Sequence, residues 1–265
     1  MATGTKISNY VGTSGGKMNK NGVYLLFGLA VTLLFIAVFT ACDSFYAISN
    51  EKLQYDSEMN FTTQTVGGGS AVRITGYNGT KKALIIPQQI YNLPVTEIGD
   101  WAFTKKELSD VVIPDTVTSI GQYAFYENKL MSLTIPDSVT AIGKWAFYNN
   151  DLIYDLTIPD NVTSIGERAF SNNILKSVTV SGVVSIESGA FSSNLLTSVT
   201  ISGNGTSVDG FAFGKNKVNR ITIVENVLIH SYNYDAFDNN FADFYNTNGC
   251  KAGTYILRNG SWVEE

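Results

Sequence analysis

Of the chain's 265 residues, 18 are Lys or Arg and 23 are Asp or Glu, so 15% are charged, against roughly 25% in an ordinary soluble domain. With 44% hydrophobic and 12% aromatic residues the chain can bury a core, which argues against global disorder. A net charge of −5 without a basic stripe argues against a nucleic-acid partner, since that affinity comes from clustered Lys and Arg. One histidine and two cysteines leave no His-rich or Cys-rich metal site and no multi-disulfide framework, and no cofactor is expected.

Val23 to Phe39 is a run without a charge, preceded by Lys17 and Lys20. At about 1.5 Å per residue it would span roughly 25 Å, the short end of a membrane-crossing helix. Thr40 and Ala41 directly before Cys42 resemble the lipobox of bacterial lipoproteins. That resemblance implies cleavage before Cys42 and a lipidated thiol as the mature first residue, anchoring the protein to a membrane. Phe39 stands where that motif usually has Leu, so an uncleaved anchor and a simple signal peptide stay open. Residues 1–42 are therefore read as the export segment, with Met18 a candidate true start, and residues 43–70 as a tether leading into the fold. Asp43 is an inner-membrane retention signal in some bacteria, which leaves inner against outer membrane undecided. With Cys42 lipidated, Cys250 has no partner and is expected as a half-buried thiol in a terminal cap.

A repeat then dominates. Ala-Phe recurs with its alanines at 102, 124, 146, 169, 190, 212 and 236, in steps of 22, 22, 23, 21, 22 and 24. Four residues before each of the first six alanines stands Ile98, Ile120, Ile142, Ile165, Ile186 or Val208. Three residues after Phe comes Asn128, Asn150, Asn173, Asn194, Asn216 or Asn240, with Lys106 in the first copy. Between these marks VVIP, LTIP, LTIP, VTVS, VTIS and ITIV, starting at Val111, Leu133, Leu156, Val178, Val199 and Ile221, alternate inward and outward residues as short strands do. One copy cannot offset the cost of ordering its backbone, about 1 to 2 kcal/mol per residue, so copies must stack as a solenoid. The asparagines would then form a ladder that satisfies backbone groups inside the turns.

The pattern L-x-x-[LV]-x-[IV]-P-x-x-V-x-x-I-G-x-x-A-F-x-x-N resembles the BspA-type, or treponemal, leucine-rich repeat of bacterial surface proteins, over about residues 84 to 240. The flanks RITGYNGT and FADFYNTNGCKAGTYILRNGSWVEE are similar to terminal segments of spirochaetal members. The resemblance implies an α/β fold, a right-handed β/α solenoid of about seven repeats. Short parallel strands would line its concave face, with helical or irregular turns on the convex one. Residues 71–97 would be the N-terminal cap and first strand, 98–240 the repeats and 241–265 the C-terminal cap. It also implies surface exposure and binding to host or bacterial surface proteins or extracellular matrix.

Two faces are candidates for such binding. The outward strand positions, among them Ser132, Thr134, Thr157, Thr179, Thr200 and Thr222, make a neutral, hydrogen-bonding face, although Thr also suits any pleated surface. Trp101, Tyr123 and Trp145, each directly before Ala-Phe, form an aromatic group on the opposite side, to be read either as packing between repeats or as a contact surface. Tyr232, Tyr234, Phe237, Phe241, Phe244 and Tyr245 are read as the cap that closes the stack. No catalytic residue is assigned. His230 lacks a recognisable nucleophile motif, the glycine-rich GNGTSVDG falls on a repeat turn rather than before a long helix, and Asp110 with Asp155 make a marginal carboxylate pair on an open face. The expected function is a non-catalytic, adhesin-like surface lipoprotein. A structural or antigenic envelope protein is the alternative, and a carbohydrate-active enzyme the third reading.

Overall fold

The computed structural model describes residues 53–182, 185–224, 226–230 and 235–265. Cys42, the apolar run before it, Tyr232 and Tyr234 lie outside them. The described chain is a β-solenoid of about seven turns. Its expected strands are present as Asp110–Val112, Leu156–Ile158, Ser177–Val180, Ser198–Ile201 and Arg220–Ile223. From Leu156 onward they pair in parallel and in register, with Leu156, Val178, Val199 and Ile221 aligned.

A second parallel sheet lies on each turn and shows in the sequence only as the aliphatic before the glycine. It is built from Leu93–Ile98, Ser119–Ile120, Ala141–Ile142, Ser164–Ile165, Ser185–Ile186, Ser207–Val208 and Leu228–Ile229. Strands of two residues are too short for alternation to reveal, so only stacking identifies them. The Ala-Phe segments are irregular turns, and the α-helix among the described residues is Phe241–Thr247 in the C-terminal cap.

The core is a column of rings. Phe103, Phe125, Phe147, Phe170, Phe191, Phe213 and Phe237 stack with centroids 5.0, 5.1, 5.2, 5.2, 5.3 and 4.8 Å apart and planes within 9°. That spacing is close to the distance of about 4.7 to 4.9 Å between paired strands. The backbone imposes it: Phe103, Phe125 and Phe147 N–H donate to the carbonyls of Ala124, Ala146 and Ala169 at 2.7 Å. Each turn thus hands its ring to the next at van der Waals distance.

The asparagine ladder is present too. Asn150 Oδ1 accepts from Leu130 N–H at 3.1 Å, and its Nδ2 donates to the carbonyls of Phe125 at 3.0 Å and Phe147 at 3.2 Å. Asn128, Asn173, Asn194 and Asn216 repeat this geometry. The last position departs from expectation. Asn240 takes a left-handed conformation at the helix start without a side-chain cap. Asn239 bridges instead, donating to Val218 O at 3.1 Å and accepting from Phe241 N–H at 3.3 Å. The longer step of 24 residues to Ala236 and the onset of the helix shift the register there.

One expected strand is missing. Leu133–Ile135 belongs to none of the three sheets: it falls between a sheet that ends at Asp110–Val112 and one that begins at Leu156–Ile158, so Ser132 and Thr134 are exposed but stand in a break rather than on a ladder. The next turn carries one residue more: six positions separate Asn150 from Leu156, against five between Asn128 and Leu133. The extra residue bulges at Ile153–Asp155, exposing Tyr154, and pulls the adjoining strand out of pairing distance.

Both ends are capped. The antiparallel hairpin Phe61–Val66 and Ala71–Tyr77 opens the second sheet, beginning inside the segment read as tether. At the other end Gly253–Arg258 adds antiparallel to Arg220–Ile223 and Ser261–Glu264 follows it. Phe237, Phe241, Tyr245, Tyr255 and Trp262 close the core, as expected for the first three. Cys250 is half-buried in this cap, its Sγ 3.6 Å from Asn246 Oδ1.

The N-terminal cap hangs on Asp56. Its carboxylate accepts from Tyr77 OH at 2.6 Å and from Asn60 Nδ2 and Ser57 N–H at 2.8 Å. Burial opposes the charge, but those bonds and Lys81 prevail and hold the carboxyl below its ordinary 3.8. Because folding lowers this pKa, the network adds stability above that value and loses it as pH falls below it. The protection factors of the Phe61–Tyr77 amides, corrected for the intrinsic exchange rate at each pH, should therefore fall below about pH 4, ahead of those in the repeats, and Asp56→Ala should show the same selective opening at pH 7.

Asn173→Ala leaves Leu152 N–H without its acceptor, while the Phe147 and Phe170 carbonyls keep the amides of Asn150 and Asn194. Orphaning one buried backbone group costs about 1 to 3 kcal/mol, so a loss of about that size is expected in denaturant unfolding.

Candidate functional site

The residue before each Ala-Phe is the sharpest point of its turn. Trp101, Tyr123, Trp145, Arg168, Gly189 and Phe211 have φ of 62, 56, 58, 52, 67 and 65°, the left-handed region that costs an L-residue about 1 to 2 kcal/mol. The turn needs this conformation because it aims each N–H at the next turn: Trp101, Tyr123 and Trp145 donate at 2.9 Å to the carbonyls of Gln122, Lys144 and Glu167. Glycine meets the need once, at Gly189. A second left-handed position in the same turns holds Lys105, Glu127, Asn149, Asn172, Ser193, Lys215 and Asp238, so these turns accept varied side chains in that region. Local conformation therefore does not account for three consecutive bulky aromatics.

Their side chains form a ladder of their own. Trp101 lies on Tyr123 at 3.9 Å and 12°, Tyr123 faces Trp145 at 6.0 Å and 14°, and the Arg168 guanidinium covers Trp145 at 4.9 Å. A second row, Tyr126 on Tyr148 at 5.3 Å, joins the first edge-on through Tyr123 and tilted through Trp145. Trp101 is 52% exposed and the other four rings are half-buried. The rings thus pack between repeats and form an exposed surface at once. Lys105 sits over Tyr126 at 5.8 Å and pairs with Glu127 at 3.2 Å. The Glu127 carboxylate, accepting from the Tyr126 hydroxyl, together with partial burial pushes that hydroxyl up to about 12.

The hydroxyl face lies on the other sheet. Thr157, Thr179, Thr200 and Thr222 are directly opposite one another, and Thr254 joins from the cap with its Oγ1 3.1 Å from that of Thr222. Thr254 was invisible as a ladder member because it arrives antiparallel, outside the repeat. Thr157 is exposed and the three that follow are half-buried. Ser132 and Thr134 instead line a cavity of about 220 Å³ with Met131, Leu133, Tyr154 and Asp155 at the break. The sequence-predicted site thus divides: Trp101, Tyr123 and Trp145 come together, Thr157 to Thr222 come together, and Ser132 with Thr134 join neither group.

His230 Nε2 lies 3.0 Å from Ser207 Oγ in the preceding turn, a contact that no motif announced because it depends on the stacking of turns. Among the described residues no three His, Cys, Asp or Glu side chains are placed to hold a metal ion, and no helix is long and apolar enough to cross a membrane.

Residues 82–193 and 128–241 match the BspA type leucine rich repeat region, in 6 copies. The chain belongs to the BspA-type leucine-rich repeat family. No curated protein matches it. Among solved structures, a leucine rich repeat protein of T. pallidum is 24% identical with a TM-score of 0.43, covering 57% of this chain and 87% of its own. A leucine rich cell surface protein of Faecalibacterium prausnitzii is 24% identical with a TM-score of 0.43, covering 79% of this chain, which spans 60% of that protein. A leucine-rich repeat protein of Bacteroides ovatus is 21% identical with a TM-score of 0.41, over 63% of this chain and 56% of its own.

Glycine at position 123 relieves the left-handed conformation, about 1 to 2 kcal/mol, but forfeits three ring pairs of about 0.5 to 1.5 kcal/mol each. Tyr123→Gly should therefore cost about 1 to 2 kcal/mol, whereas Phe147→Ala in the core should cost about 3 to 5 kcal/mol. Denaturant unfolding compares the two, and an equal loss would make the outer ladder part of the core.

Proposed function

We propose that this BspA-type repeat protein is displayed on the cell surface by a lipid on Cys42 and binds host or bacterial surface proteins or extracellular matrix, without catalysis. The observation that carries this reading is the Trp101–Tyr123–Trp145 ladder, exposed at Trp101 and half-buried beyond it, held in a conformation that disfavours such side chains. Residues kept in costly backbone regions cluster at functional sites, and Trp and Tyr dominate protein-binding hot spots. The low charge supports a contact made by rings and hydroxyls more than by ion pairs. Thr40-Ala41-Cys42 supports the lipid anchor.

Full-length protein in detergent is applied to immobilised matrix proteins and to whole cells. Saturable binding that falls at least about tenfold in the triple variant Trp101→Ser, Tyr123→Ser, Trp145→Ser, with only a weak dependence on salt, is the expected result. Absence of binding across a broad panel would leave the protein a structural component of the envelope. Mass spectrometry of membrane-extracted protein should find Cys42 as the first residue, bearing lipid.

A further inference from the structure

We infer that the outer face of the Trp101 indole is a receptor for a guanidinium group, that of an arginine side chain on the partner. This rests on the reading that the aromatic ladder is a contact surface, and it names what one rung recognises.

The ladder is closed at one end and open at the other. Past Trp145 the Arg168 guanidinium takes the place of the next ring, at 4.9 Å. At Trp101 one face is covered by Tyr123 at 3.9 Å, and no ring or cation among the described residues stacks on the other, consistent with its 52% exposure.

The open end has a cause in the fold. Within the repeat five positions separate Ile98 from Phe103, and the extra residues make the left-handed turn that lifts Trp101 outward. In the preceding cap hairpin Ile74 pairs with Ile98 and Tyr77 meets Phe103 at 5.6 Å, yet only three positions separate Ile74 from Tyr77. The cap strand passes straight by, so the inner ring column continues into the cap while the outer ladder stops at an uncovered indole.

The local charge selects a cation. Arg73, the arginine of the adjoining strand, is held by Glu97, with Nε donating to its carboxylate at 2.6 Å. Asp100, next to Trp101 in the chain, accepts from Gln122 N–H at 2.7 Å through Oδ1, while Oδ2 makes no hydrogen bond among the described residues. The residue adjoining Trp101 in the chain therefore carries a carboxylate with no cation partner among the described residues, on a chain of net charge −5. A planar, weakly hydrated guanidinium stacks on an aromatic face better than a compact ammonium does, and the protein already makes that pairing between Arg168 and Trp145.

The test uses full-length ¹⁵N-labelled protein in detergent, titrated with acetyl-Gly-Arg-Gly-amide and with its Lys and citrulline counterparts. The Trp101 indole N–H signal, identified by its loss in Trp101→Gly, should move with the arginine peptide at about two- to fivefold lower concentration than with citrulline, and Lys should fall between. The Trp262 signal in the far cap should stay unchanged, reporting an intact fold. Asp100→Asn should weaken the arginine response while leaving the Trp101 signal in place. Equal responses to arginine and citrulline, or no response at all, overturns the inference. If matrix or cell binding persists in that case, the proposed function stands without it.

Discussion

Every ladder in this protein depends on the backbone bonds that hold one turn a strand's width from the next. The Phe N–H to Ala carbonyl bonds at 2.7 to 2.8 Å, made by residues that are themselves in a turn, fix that spacing on the side where no regular strand runs. Ring separations close to 5 Å in the core, the asparagine bridges and the threonine row are all consequences. A pitch near 5 Å suits stacked rings and hydrogen-bonded side chains alike, so one constraint serves packing and polar satisfaction together.

The same constraint makes the stack intolerant at some points and forgiving at others. At Gly143 a Cβ would come within 2.5 Å of the Gly121 carbonyl carbon, because two turns touch backbone to backbone there. The single extra residue before Leu156 is accommodated by bulging outward at Ile153 and Tyr154, at the expense of one strand and not of the ring column, which passes through undisturbed. The caps solve the remaining problem of exposed ends. An antiparallel hairpin ends each side, and aromatic residues cover the last core ring.

Function, in this reading, follows where the repeat departs from what its fold requires. Asn, Gly, Ala and Phe occupy positions whose hydrogen bonds or dimensions explain them. Trp101, Tyr123 and Trp145 occupy positions where glycine would serve the backbone better, and they give an acidic, sparsely charged protein a platform of stacked rings ending in a guanidinium on one side and open on the other. Thr157 to Thr254 provide a separate hydroxyl row on the other sheet, which β preference accounts for without a partner.

The low charge fraction is a statement about these surfaces: hydroxyls and rings occupy positions where another protein would place charges. The sequence by itself determined the number of turns, the inward residues, the asparagine ladder and the aromatic group before Ala-Phe, because a repeat of about 22 residues writes each environment several times over. It could not show the second sheet, whose two-residue strands carry no alternation. Nor could it show that one added residue removes the strand at Leu133, that Thr254 extends the threonine row from outside the repeat, or that Asn239 replaces Asn240. Those outcomes depend on register between turns, which is settled only when the backbone stacks. The face of Trp101 that no ring or cation among the described residues covers is of the same kind: it exists because a cap strand two residues shorter runs past it, a comparison between neighbours in space that no single stretch of chain contains.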